Sequence, residues 1–218
     1  MVSTQQAVHI PVDTITLEGE LVIPAGAQGV VAFAHGSGSS RHSPRNTFVA
    51  RILQHAGLGT LLFDLLTRDD MQEARFDIDL LTSRLAAATH WLLQQPQTSM
   101  LGIGYFGAST GAAAALQAAA VLGGDIGAIV SRGGRPDLAR SALAQVYVPT
   151  LLIVGGEDHG VIDLNRQAYA LLGGEKQLAI IPGATHLFEE PRALQAVARL
   201  AVQWFTQHLH EKPPKSAR

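Results

Sequence analysis

The chain has 218 residues, 47% of them hydrophobic and only 16% charged, with a formal net charge of −2. That length holds one domain or two small ones, and that composition excludes a disordered chain, because there is ample apolar surface to bury. The charge gives no electrostatic reason to bind nucleic acid or an anionic membrane surface, and Lys and Arg are scattered instead of gathered in a stripe.

Cysteine is absent, which excludes a disulfide framework, a thiolate nucleophile and any cysteine-based zinc site. Met1–Asp13 has no basic region followed by an apolar one, so it does not read as a secretory signal. No apolar run approaches the ~20 residues that a spanning helix needs. The expectation is a soluble, cytoplasmic protein.

Val8–Pro11 and Ile15–Ile23 open the chain as an expected antiparallel pair, the second alternating in Ile15, Leu17 and Leu21. Short, nearly continuous apolar runs follow at Val30–Ala34, Thr60–Phe63, Leu101–Phe106, Ile126–Ser131, Thr150–Val154 and Gln177–Ile181, the pattern of strands covered on both faces. Helical patterns separate them: Asn46–His55, Asp77–Gln95, Thr110–Leu122, Asp137–Leu143, Asp163–Leu172 and Pro191–His210. Within the second, Ile78, Leu81, Leu85, Ala88, Trp91 and Leu92 fall on one face. Asp163 is placed to cap the fifth helix, and Pro191 fits the first turn of the sixth. Strand alternating with helix predicts an α/β fold: a mostly parallel sheet of about eight strands with helices on both faces. No connection is long enough for a large cap. One domain over residues 1–210 and a flexible tail over 211–218 are expected.

The sharpest chemical signal is Gly107-Ala108-Ser109-Thr110-Gly111, a G-x-S-x-G sequence that directly follows an expected strand and directly precedes an Ala-rich helix. A nucleophile elbow requires this context. The turn is so tight that residues two before and two after the serine must be small, and both are glycine. A serine hydroxyl needs a base to take its proton, and in this strand order the partners follow as serine, acid, histidine. The loop after Thr150–Val154 offers Asp158, and the loop after Gln177–Ile181 offers His186. Loops at one edge of a parallel sheet converge. Glu157, Asp163 and Asp137 are the rival acids, with Asp163 disfavoured by its expected capping role. Of the nine histidines, only His186 lies on the loop after the last strand. Two backbone donors for an oxyanion are expected: the N–H of Thr110, and one from His35-Gly36-Ser37-Gly38-Ser39-Ser40, with Ser37 first and Gly38 second.

Arg41, Arg45, Arg132 and Arg135 all follow strands and stand near the expected mouth. One or two of them, with Arg41 and Arg132 foremost, are candidates to bind an anionic substrate; the alternative is that they pair with nearby Asp or Glu. Gly102-Ile103-Gly104-Tyr105-Phe106-Gly107 fits a dinucleotide G-x-G-x-x-G, but its glycines lie inside a strand and not in the turn after it. No H-E-x-x-H and no Cys/His ligand spacing exists, so neither a cofactor nor a metal is expected.

With elbow, acid loop, histidine loop and oxyanion loop in order, the chain resembles the α/β-hydrolase superfamily, and within it the small dienelactone-hydrolase-like branch. The stretches that carry the resemblance are His35-Gly-Ser-Gly-Ser-Ser-Arg-His-Ser-Pro-Arg-Asn46, Gly104-Tyr-Phe-Gly-Ala-Ser-Thr-Gly111, Ser131-Arg-Gly-Gly-Arg-Pro-Asp137 and Pro182-Gly-Ala-Thr-His-Leu-Phe-Glu-Glu190. The resemblance runs from about Val8 to His208. It implies an eight-stranded hydrolase sheet and the triad Ser109–Asp158–His186. Some bacterial relatives are fused to a phosphoribosyltransferase domain, whose acidic pair and Gly/Thr-rich phosphate loop are not found in these residues. The namesake enzymes use a cysteine nucleophile and this chain has none, so the expected reaction is hydrolysis of a small-molecule carboxylic ester. A thioesterase or acyltransferase would use the same residues, and a non-catalytic binding protein on the same scaffold is the reading from another class.

Overall fold

A computed structural model describes residues 3–67, 69–70 and 72–210. Among the described residues, eight strands form one sheet: β1 (Thr4–Val12), β2 (Ile15–Ile23), β3 (Gly29–Ala34), β4 (Gly59–Phe63), β5 (Gly102–Ala108), β6 (Ile126–Arg132), β7 (Thr150–Gly155) and β8 (Lys176–Ile181). Their order is β1-β2-β4-β3-β5-β6-β7-β8. β1 pairs antiparallel with β2, and β2 with β4; every pair from β4 onward is parallel. The two-residue turn Asp13–Thr14 closes the opening hairpin, with Asp13 at φ 49°.

Five α-helices of the described residues cover the sheet: α1 (Pro44–His55), α2 (Ile78–Gln94), α3 (Thr110–Leu122), α4 (His159–Leu171) and α5 (Ala193–His208). Leu81, Leu85, Ala88 and Leu92 of α2 and Ala113, Ala114, Ala115, Ala118 and Ala119 of α3 pack on one face, with Ala168 of α4. Val49, Ala50 and Leu53 of α1 and Val197, Ala201 and Phe205 of α5 pack on the other. β3, β4, β5 and β7 are buried along their whole length because both faces are covered. This is the α/β-hydrolase fold. Among the described residues, no helix is long and apolar enough to cross a membrane.

The structure corrects three sequence expectations. Asp137–Leu143 is no α-helix; Pro136–Ala139 and Leu143–Gln145 form separate 3₁₀ turns. α4 starts at His159, so Asp163 lies inside the helix and pairs with Arg166 instead of capping. Pro191 stands outside α5, whose N-cap is Arg192 at φ 68°. A fourth element, the 3₁₀ turn Gln72–Phe76, carries no periodicity that would announce it. The expected tail 211–218 lies outside the described residues.

The glycines of the G-x-G-x-x-G stretch are strand residues of β5. A Cβ on Gly102 would lie 2.6 Å from the His210 carbonyl oxygen, and one on Gly104 would lie 2.8 Å from the Phe205 ring. They admit the C-terminal helix to the sheet, and no phosphate loop follows them.

Past β4, Arg84 donates to both carboxylate oxygens of Asp70 (2.7 and 2.8 Å) and to the Leu65 carbonyl (2.7 Å). Those bonds hold the Asp70 carboxyl down to about 2. A carboxyl held below its unfolded value adds stability above that value and loses it as pH falls through the folded one. Asp70→Asn therefore lowers stability by about 2 kcal/mol near neutral pH, by the worth of charge-assisted hydrogen bonds. In urea unfolding, its deficit against wild type should narrow as pH falls from about 4 towards 2.

Candidate active site

Ser109 sits between β5 and α3 at φ 50°, ψ −119°, a left-handed backbone that a side chain rarely adopts. The surroundings hold it there. A Cβ on Gly107 would lie 2.5 Å from Ala112 Cα, and one on Gly111 would lie 2.1 Å from the Ala34 carbonyl oxygen. Ser109 N–H donates to the Arg132 carbonyl (3.3 Å), and the Ser109 carbonyl accepts from Ala112 and Arg135 N–H (both 3.1 Å). Although Ser109 occupies the N-cap of α3, its hydroxyl makes no capping bond.

Asp158 occupies the N-cap of α4 and likewise does not cap. Its Oδ2 lies 2.6 Å from His186 Nδ1. A carboxylate only accepts, so Nδ1 carries the proton and Nε2 is left as the basic nitrogen. The two loops are laced together: Gly156 N–H donates to Ile181 O (2.8 Å) and Glu157 N–H to Ala184 O (2.9 Å). The Asp158 carboxylate is largely buried, at 18% exposure, while the His186 side chain is open at 38%. The rival acids are engaged elsewhere. Glu157 faces His159 at the surface, Asp163 pairs with Arg166, and Asp137 pairs with Arg135.

Ser109 and His186 line one cavity of about 200 Å³ together with Ser37, Arg45, Asn46 and Arg132. That is smaller than the ~300–1,000 Å³ typical of drug-sized ligands, so the site suits a small molecule. Gly133, at φ 52°, backs the histidine, and a Cβ there would lie 3.2 Å from the His186 carbonyl and 3.5 Å from its ring.

The oxyanion loop departs from expectation. Ser37 N–H donates to Thr110 Oγ1 (2.9 Å), because a threonine at the first position of α3 sets a hydroxyl acceptor against the loop. Sequence reasoning missed how this loop is fixed. His35 is buried, and its Nε2 accepts from Leu65 N–H (3.0 Å) while Nδ1 faces the Gly36 carbonyl (3.1 Å). Arg41 N–H donates to Asp64 Oδ1 (2.7 Å), and its guanidinium reaches Asp64 and Glu18. Both ends of the loop are thereby tied to the chain just past β4. Arg41 is engaged by this clamp and lines grooves other than the serine cavity. Arg135 is similarly occupied by Asp137.

Residues 21–210 match the dienelactone hydrolase family. A crystal structure of a dienelactone hydrolase from Anabaena variabilis is 57% identical, superposes with a TM-score of 0.92, and covers 95% of this chain and 99% of its own. The chain belongs to the dienelactone hydrolase family. Two Mycobacterium tuberculosis relatives named as phosphoribosyl transferases are 54% identical over 206 residues; the match covers 94% of this chain but only 46% of theirs, so the chain spans about half their length. Est1E from Butyrivibrio proteoclasticus, in a structure with ferulic acid bound, shares the fold at 17% identity, with a TM-score of 0.80 over 93% of this chain and 99% of its own.

The loops of this dienelactone hydrolase family member carry two testable consequences. Gly133→Ala should cost about 1–2 kcal/mol of backbone strain and, by pressing on His186, lower kcat about tenfold or more in steady-state assays. Burial pushes the His35 imidazole below its ordinary value of 6.5. A histidine kept neutral by folding adds stability above its unfolded value and loses it as pH falls below. The urea midpoint should therefore drop less in His35→Gln than in wild type between about pH 7.5 and about pH 5.5.

Proposed function

We propose that the protein cleaves small carboxylic esters through an acyl-enzyme on Ser109, with His186 as base and Asp158 as the residue that orients it. The observation that carries this reading is the 2.6 Å contact between Asp158 Oδ2 and His186 Nδ1, in a cavity shared by His186 and Ser109. Nε2 takes the Ser109 proton as Oγ attacks the ester carbonyl, and Asp158 stabilises the imidazolium that forms. The Thr110 N–H donates to the developing oxyanion at the N-terminus of α3, where the helix dipole favours negative charge. The second donor is the Ser37 N–H, released from Thr110 Oγ1 when that hydroxyl turns about χ1, since threonine in a helix has two accessible rotamers. His186 then returns its proton to the departing alcohol. Water attacks the acyl carbon with His186 again as base, and the acid leaves as Oγ regains a proton.

Two features favour hydrolysis over a mere binding role. The serine is held at a strained φ that packing alone does not need. Two helix N-caps also forgo their capping bonds, each worth about 1 kcal/mol. Ser109→Ala should lower kcat on a small acetate ester by about three orders of magnitude or more. A fluorophosphonate probe should label wild type and not the variant. Unchanged turnover in the variant would overturn the assignment of Ser109.

A further inference from the structure

Asn165 lies about two turns into α4 and is fully buried, although asparagine is a poor helix former. Its Nδ2 donates to the Val161 carbonyl of its own helix (2.8 Å) and, across a gap in the chain, to the Gly134 carbonyl (3.0 Å). Among the described residues its Oδ1 has no partner. A leucine of similar size would fill this place without a buried, unsatisfied oxygen. Packing alone therefore does not call for an asparagine.

The Gly134 carbonyl belongs to the peptide unit that carries the Arg135 N–H, and that N–H donates to the Ser109 carbonyl (3.1 Å). A peptide unit is planar, and those of the described residues are all trans, so its C=O and N–H point to opposite sides. Asn165 thus holds one end of a rigid plate whose other end holds the elbow. Polarisation along such a chain strengthens each bond in it. The plate also has little room. Gly133 N–H is tied to the Ile153 carbonyl (2.8 Å), and a Cβ on Gly134 would lie 2.0 Å from Ser131 Oγ and 2.8 Å from Ala112 Cβ. At its other end, α4 begins at Asp158, the residue bonded to His186. Roughly 10 Å of one stiff helix therefore separates the acid from the asparagine.

We infer that Asn165 is a positioning residue for the reaction: through the peptide of Gly134 and Arg135 it fixes the Ser109 elbow relative to the acid that its own helix carries. This rests on the reading of Ser109 as the nucleophile. Without the Nδ2 donor, the peptide plane is free to turn, its grip on the strained Ser109 backbone loosens, and Oγ moves relative to His186. Attack falls steeply with such a displacement. Neither Asn165 nor Gly134 lines the serine cavity, so substrate contacts stay as they are.

Asn165→Leu keeps the volume and removes the donor. On 4-nitrophenyl acetate it should lower kcat about 10- to 100-fold, the cost of a shift near 1 Å, with KM within about threefold of wild type. The rate constant for labelling by a fluorophosphonate should fall by a similar factor. Urea unfolding at the assay temperature checks that folded protein is being measured. Asn165→Ser, too short to reach Gly134, is read in the same way. Ala168→Gly is the control: it weakens α4 one turn further on with Asn165 in place, and should leave kcat within about twofold of wild type. A kcat within about threefold of wild type in the Asn165 variants, or a loss carried mainly by KM, overturns the inference. An equal loss in Ala168→Gly overturns it as well, because the helix and not the bond would then be responsible. So does the absence of a cooperative urea transition in both Asn165 variants, since the residue would then serve the fold. Ser109→Ala keeps the two ideas apart: turnover that survives there removes the nucleophile, whereas its loss there beside unchanged Asn165 variants removes only the positioning role.

Discussion

The left-handed backbone at Ser109 is the constraint around which the rest of the site is arranged. Such a conformation costs about 1–3 kcal/mol and persists only when its neighbours over-determine it. Here they do. Gly111 is pressed against the carbonyls that end β3, so the oxyanion loop begins where the elbow leaves no space. The segment after β6 accepts the Ser109 N–H through Arg132 and donates to the Ser109 carbonyl through Arg135. The same segment supports the His186 ring through Gly133. One short stretch thus fixes Ser109 and His186 together, and it also delivers the buried Arg132 to the cavity.

A second regularity concerns helix ends. Serine and aspartate are favoured N-caps because their oxygens satisfy free N–H groups. α1 and α2 follow that rule with Ser43 and Asp77, each accepting from the N–H three residues on. α3 and α4 carry the same residue types and withdraw the side chain, Ser109 to the cavity and Asp158 to His186. The two helices that start beside this cavity thus give up local stability that α1 and α2 keep. The free N–H groups at the start of α3 are the gain, since an oxyanion needs donors with no other obligation.

Much of this was legible in the sequence, for physical reasons that also mark its failures. Strands buried on both faces show as short apolar runs, and the two elbow glycines mark a place with no room for a Cβ. Asp158 was preferred over Asp163 for a wrong reason. Asp163 caps nothing, because α4 begins four residues earlier at His159, and capping composition is degenerate among nearby aspartates. The 137–143 stretch has helical periodicity, but it packs against α3 as separate 3₁₀ turns. His35 and the Arg41–Asp64–Glu18 clamp were invisible because they join residues far apart in the chain. The occupation of Ser37 N–H by Thr110 is of the same kind, a contact between positions 73 apart.

The arginines show why sequence position alone does not assign a charge its role. Arg41 and Arg135 each have an aspartate within hydrogen-bond reach and become struts. Arg45 is half committed, to a carboxylate at the surface. Arg132 lies at the end of a central strand, where any carboxylate partner would have to be buried beside Ser109. Such a carboxylate would repel the negative charge that builds on the substrate oxygen during attack, and low dielectric would enlarge that penalty. An unpaired cation at this place carries the opposite sign of effect. The cost of burying it is met by the fold, and the cavity that holds Ser109 keeps a cation in its wall.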